Sequence, residues 1–509
     1  MASTLSNLNA LLRLTGSKKI NKILFDDLQF YQTRGRSMML RFGIAIITAA
    51  LLMSCSGGGT SAEGTAGTTN TQAATGNNNS NNTTSPAITA LALNETTPQS
   101  SGITTTAGTS YVLLAWNDLG MHCLNPSYDT AVILPPYNTI RAQVIKRGNK
   151  PTVVTNGVTV SYRIINNTTS QKGLFSQFWT YSQKLFGATP ASDKGLNLDD
   201  PIVSNGLAGT MLAKSGYFIT SGIPVTPVND GGGWNPFQLA EITVKDSTTG
   251  TVLVQTRTTV PTSDEINCGK CHAKGGTLTQ VFEDILNQHD RMHGTTLISQ
   301  KPVLCSSCHG SPALGAPQKG GIPYLSQAIH QAHASRGASC YDCHPGTITQ
   351  CNRSTKHTSP DGNCTTCHGS IAQIASTIAN GSRTPWLNEP KCASCHSTAV
   401  AEVDTGTTLY RNATGHGGVF CAGCHGSPHA MTPSNQASDN YQSIQYQGKA
   451  ISIGDCRVCH KTSRGGGGAS SFANEHGNNR ISACSVCHTG FQNAGNAANW
   501  PHQFQWQTR

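Results

Sequence analysis

Eight times the chain sets two cysteines three positions apart and follows the second with a histidine. The pentads begin at Cys268, Cys305, Cys340, Cys364, Cys392, Cys421, Cys456 and Cys484 and close on His272, His309, His344, His368, His396, His425, His460 and His488. Their second cysteines are Cys271, Cys308, Cys343, Cys367, Cys395, Cys424, Cys459 and Cys487. Zinc, a disulfide and covalent haem all use paired thiols. Tetrahedral zinc has no need of a histidine directly after the second thiolate. Covalent haem does: the thiols add to the vinyl groups and the adjoining imidazole becomes the proximal iron ligand. Histidine is 18 of 509 residues, so it follows a given cysteine by chance about 4% of the time. Eight in eight selects haem, and it accounts for sixteen of the nineteen cysteines.

These motifs, spread over residues 268–488, resemble those of the multihaem c-type cytochromes. Nine further histidines share the region: His289, His293, His330, His333, His357, His416, His429, His476 and His502. Eight irons with two imidazoles each need eight distal ligands, so the count fits with one to spare. His289/His293 and His330/His333 are spaced i,i+4 and i,i+3, which puts both rings of a pair on one helical face. A close histidine pair shortly ahead of a pentad is similar to the tetrahaem cytochromes of sulfate reducers, which implies that His330 and His333 serve separate haems. The spare is expected at His289 or His293. His429, four residues past His425, is the most constrained candidate. A methionine, Met292 or Met431, in place of an imidazole would raise that haem's potential.

Three cysteines remain. Cys55 closes "LLMSC" behind an uncharged apolar run, Phe42–Ser54, that is too short to span a bilayer but fits the core of an export signal. Leu52–Cys55 resembles a bacterial lipobox, which implies lipidation of Cys55. Cys123 and Cys351 are the unassigned pair; in an exported chain they are candidates for a disulfide, or for two free thiols. Met121, His122 and Cys123 together could bind a soft metal such as copper, though a packed turn is the favoured reading.

Other segments must position these groups. Residues 1–55 read as an N-terminal extension with a signal. Residues 56–108 are dominated by Gly, Ser, Thr, Asn and Ala, with two acids and no aromatic ring, a flexible tether. Residues 109–262 hold "YVLLAW", "TIRAQVIK", "VTVSYRII", "LAEITVKD" and "TVLVQTRTTV", punctuated by turn residues, which predicts a haem-free antiparallel β-sandwich. One amphipathic helix is expected near residue 172. Residues 263–509 lack long periodicity, predicting a mostly irregular, haem-packed part. Its short helices are expected near 277 and 324, and its two tetrahaem clusters over 263–380 and 381–509.

The net charge of +10 does not argue for nucleic acid. Residues 1–55 hold seven Lys/Arg and two Asp, so +5 of it sits in the expected leader, and no basic run is interleaved with aromatics. Sixteen haem propionates would offset the remainder. Two imidazoles saturate an iron, leaving no substrate position and favouring low potential. The expectation is an octahaem electron carrier of anaerobic respiration, with eight covalent haems c. The resemblance extends loosely to multihaem lipoproteins of metal-respiring bacteria. It implies an outer-membrane lipoprotein, facing the periplasm or the cell surface, with other periplasmic or outer-membrane cytochromes and extracellular acceptors as partners. The competing classes are an octahaem enzyme acting on nitrite, tetrathionate or hydroxylamine, and a structural, filament-forming haem protein. The enzyme families keep one iron open, sometimes on a lysine, and no CxxCK occurs.

Overall fold

The computed structural model describes residues 110–460, apart from 149, 347, 358–363 and 397–407. Cys55, the tether, Cys484, Cys487, His488, His476 and His502 lie outside the described residues.

Alternating apolar runs give two sheets. The first holds β1 (Tyr111–Asn117), β4 (Ile140–Lys146), β5 (Thr152–Val154), β8 (Leu212–Lys214) and β9 (Tyr217–Thr220) in the order β1-β4-β9-β8, with β5 also on β4. The second holds β2 (His122–Cys123), β6 (Val158–Ile165), β7 (Ala208–Thr210), β10 (Phe237–Asp246) and β11 (Val252–Ser263) in the order β2-β11-β10-β6-β7. Alternate residues of both sheets, including Leu113, Ala142, Val144, Val160, Tyr162, Phe218, Ile242, Val244 and Val254, form one buried core. This is a sandwich. Its long strands pair antiparallel as expected. The departures are β2, two residues long and parallel to β11, and a separate parallel ribbon of β3 (Ala131–Val132) with β12 (Val303–Leu304).

Strand β1 does not alternate: six of its seven residues are buried. One face joins the sandwich core. The other, Val112, Leu114 and Trp116, packs with Ile145 against Phe420, Ala422 and Val458, and the Trp116 and Phe420 rings lie 5.3 Å apart. A strand buried on both faces loses its period-2 signal for that reason. Its free edge is also covered. Tyr446 accepts from Leu113 N–H at 3.0 Å and donates to Leu113 O at 2.6 Å, while Gln442 accepts from Ala115 N–H at 2.9 Å. An edge strand left open would template pairing with another chain.

The helices are α1 (Gln177–Phe186), α2 (Leu278–His293), α3 (Leu325–His333), α4 (Cys364–His368), α5 (Ile371–Ala379), α6 (Cys421–His425) and α7 (Tyr441–Gln447). The longest, α2, starts at a capping box of Thr277 with Gln280 and stops at Gly294, whose φ of 64° suits glycine. It buries Val281, Phe282 and Leu286 on one stripe. No described helix is long and apolar enough to cross a membrane.

Candidate haem centres

Every described pentad folds into one tight turn. His272, His309, His344 and His396 N–H groups bond the carbonyl of their first cysteine at 2.9, 3.1, 2.8 and 2.9 Å. Cys364–His368 and Cys421–His425 are single α-helical turns, and Cys456–Val458 is a 3-10 turn. An i to i+4 closure brings the first cysteine and the histidine to one side of the backbone. Five residues can form it locally, which is why the motif needs no long element around it.

The structure brings these turns to the other histidines in pairs. Ring centres are 6.3 Å apart for His272 and His333, 6.3 Å for His289 and His309, and 6.2 Å for His330 and His344. They are 6.3 Å apart for His357 and His396, 6.0 Å for His368 and His429, and 6.1 Å for His416 and His460. Two imidazoles bonded through Nε2 to one metal at about 2 Å have ring centres roughly 6 Å apart. Each of the six pairs joins a pentad histidine to one from outside a pentad. His330 and His333, on one face of α3, reach different pentads. His293 lies 4.8 Å from His289 on α2 and is exposed.

Hydrogen bonds fit the same chemistry. A metal-bound imidazole keeps a proton on its other nitrogen and needs an acceptor there. His309, His330, His333 and His429 face backbone oxygens of Pro323, Ser326, Ile329 and Leu119 through Nδ1, at 2.9, 2.6, 2.7 and 3.2 Å. His289, His357 and His425 face the hydroxyls of Thr295, Ser354 and Ser452, and His272 faces the Asp284 carboxylate. The donor set fits c-type haem. Burial, followed by the nearby His330 and His368, pushes His344 down to about 4. Burial and then His429 and Arg383 do the same to His368. The neutral imidazole is the ligating form.

His122 is built the other way round. Its Nε2 meets Asp118 Oδ1 at 2.8 Å, both side chains are nearly fully buried, and its ring lies over Tyr137. The Nε2 of His122 is therefore engaged by a carboxylate within a packed turn, and among the described residues no cluster of three or more His, Cys, Asp or Glu could hold a metal ion. Cys123 and Cys351 are free thiols, not the disulfide considered above. Burial raises both, Cys351 to about 11.

Residues 332–426 match the family model of cytochrome c3. The chain carries a multihaem c-type cytochrome module. The match takes in the pentads at 340, 364, 392 and 421, together with His333, His357 and His416. No curated protein matches the chain. Among solved structures, MtrC from Shewanella baltica OS185 aligns at 13% identity over 56% of this chain and 43% of that one. Its TM-score is 0.13, too low for a shared fold.

One ligand candidate, His429, is held directly against the sandwich segment. Leu119 O accepts from its ring, and its own carbonyl accepts from Arg353 N–H at 2.6 Å. Arg353 pairs with Asp439 at 2.9 Å, with both side chains almost fully buried, and donates to Gly120 O at 2.9 Å. Gly120 has φ 79°, and a Cβ there would lie 1.6 Å from Pro428 O. The stretch "NDLGMHC" therefore supports the His429 ring through Leu119 O and its neighbour Arg353 through Gly120 O. Leu119, Gly120, Arg353 and Asp284 escaped sequence reasoning, because their partners lie 12 to 310 residues away. The lone signal was the unusual composition around Gly120.

Proposed function

We propose that this chain is an octahaem c-type cytochrome that carries electrons in anaerobic respiration. The pairing of six pentad histidines with six others at 6.0–6.3 Å carries this reading. In it, the haems at 268, 305, 340, 364, 392 and 456 take His333, His289, His330, His429, His357 and His416 as distal ligands. His476 and His502 then remain for the haems at 421 and 484, and His293 is the spare. Bound haem supplies the one-electron ferric/ferrous couple, while the protein sets ligation and spacing. Iron held by two imidazoles has no open coordination position, which favours a carrier over an enzyme. Lipidation at Cys55 would anchor the chain at the outer membrane, within reach of other cytochromes and extracellular acceptors.

Intact mass should exceed that of the haemless mature chain by eight haems, about 616 Da each. Electron paramagnetic resonance should find low-spin ferric haem alone, and the optical absorption spectrum should lack the methionine-ligand band at about 695 nm. A high-spin fraction, or spectral change on adding nitrite, would overturn the carrier reading in favour of an octahaem enzyme. Cys55→Ala should release the protein from membranes; unchanged membrane association would remove the lipid anchor.

A further inference from the structure

The candidate ligand rings differ in what faces their Nδ1. His309, His330, His333 and His429 face neutral backbone carbonyls, and His289, His357 and His425 face hydroxyls. His272 faces a carboxylate: Asp284 Oδ2 lies 3.0 Å from its Nδ1. Gln288, one turn further along α2, donates to the same oxygen at 2.6 Å and fixes its direction. Asp284 and His272 side chains are 29% and 20% exposed, so solvent screens the contact only in part. The helix that aims Asp284 is itself fixed by its capping box and its buried Val281, Phe282 and Leu286.

We propose that Asp284, oriented by Gln288, is a positioning residue that polarises His272. This makes the haem of Cys268, Cys271 and His272 the lowest in potential among those whose pentad histidines have the Nδ1 partners described above. The proposal rests on the ligation reading given under Proposed function. An anionic acceptor draws the Nδ1 proton away and makes the imidazole a stronger donor to metal. A stronger donor favours the ferric over the ferrous state, which lowers the potential. Carbonyl and hydroxyl acceptors do this less because they carry no net charge. Electrons would then reside least at this centre, placing it at one energetic end of the module.

The test is a redox titration followed by electron paramagnetic resonance on the full holoprotein, beside its haem count by mass. Asp284→Asn should keep every haem and stay low-spin. One one-electron component, the most negative of its set, should shift upward while the others stay put, and Asp284→Glu should return it toward the wild-type value. Gln288→Leu, which removes the donor that fixes Asp284, should move that component upward by a smaller amount. It also serves if Asp284→Asn matures poorly. Unshifted components in both variants at full haem count would overturn the proposal. A wild-type protein lacking haem at Cys268 and Cys271 would instead overturn the ligation reading beneath it.

Discussion

The sandwich and the segment beyond Cys268 are held together by different means. Between the sheets, Leu113, Val144, Ile242, Val244 and Val254 are fully buried, and aliphatic contact supplies the cohesion. Beyond Cys268 the described apolar clusters are small, such as Phe282 and Leu286 of α2 against Ala131 of β3. What recurs there is the histidine pair and the short turn. The sandwich has an aliphatic core of its own. In the proposed reading the other segment would be cross-linked by haem, through its imidazoles and thiols. Two of the pairs, His357 with His396 and His368 with His429, cross residue 380, and so does the cytochrome c3 match. The pairs therefore tie the proposed halves 263–380 and 381–509 to each other.

The largest expected effect comes from withholding haem. A chain produced without haem attachment should keep the β-sheet signal in circular dichroism, and limited proteolysis should leave a resistant fragment ending near Ser263. Equal resistance of the segment after Cys268 would break the comparison, since it would mean that segment needs no cofactor to pack. Next is the sandwich core. Ile242→Ala should cost about 2–5 kcal/mol of stability, read from denaturant unfolding, while leaving the haem spectrum unchanged. Loss of low-spin signal in that variant would mean the two regions are not separable.

A smaller effect, at the joint, sharpens the contrast. Gly120→Ala puts a methyl group against the Pro428 carbonyl at a positive φ, and should cost at least about 1 kcal/mol. By displacing His429 it should also turn the haem at 364–368 partly high-spin, visible by electron paramagnetic resonance. A destabilised but wholly low-spin variant would deny the sandwich its role in placing that ligand. The smallest effect belongs to the spare. His293→Ala, at an exposed position, should change stability by less than about 0.5 kcal/mol and leave all haems low-spin, whereas His289→Ala should produce one high-spin haem. A spectral change in His293→Ala would reassign the spare.

Much was legible without coordinates because it depends on short-range rules. The pentads declare their chemistry within five residues. The strands at 111, 139, 158, 239 and 251 and the helices at 172, 277 and 324 announced themselves through period and caps, and each stands within a few residues of its expected place. Histidine counting gave the supply of ligands but no partners. His333 meets His272 across 61 positions, and His429 meets His368 across 61, distances over which no local spacing rule operates. The cover on the second face of β1 likewise comes from far along the chain, at Phe420, Ala422 and Val458. The sequence by itself determined which residues can bind haem, because bond formation needs only the right atoms at the right local spacing. Tertiary structure alone decided which histidine answers which, what lies behind each ring, and that a stretch resembling a metal site supports a ligand. These depend on how the chain folds back on itself, a property spread over hundreds of residues and present in no single motif.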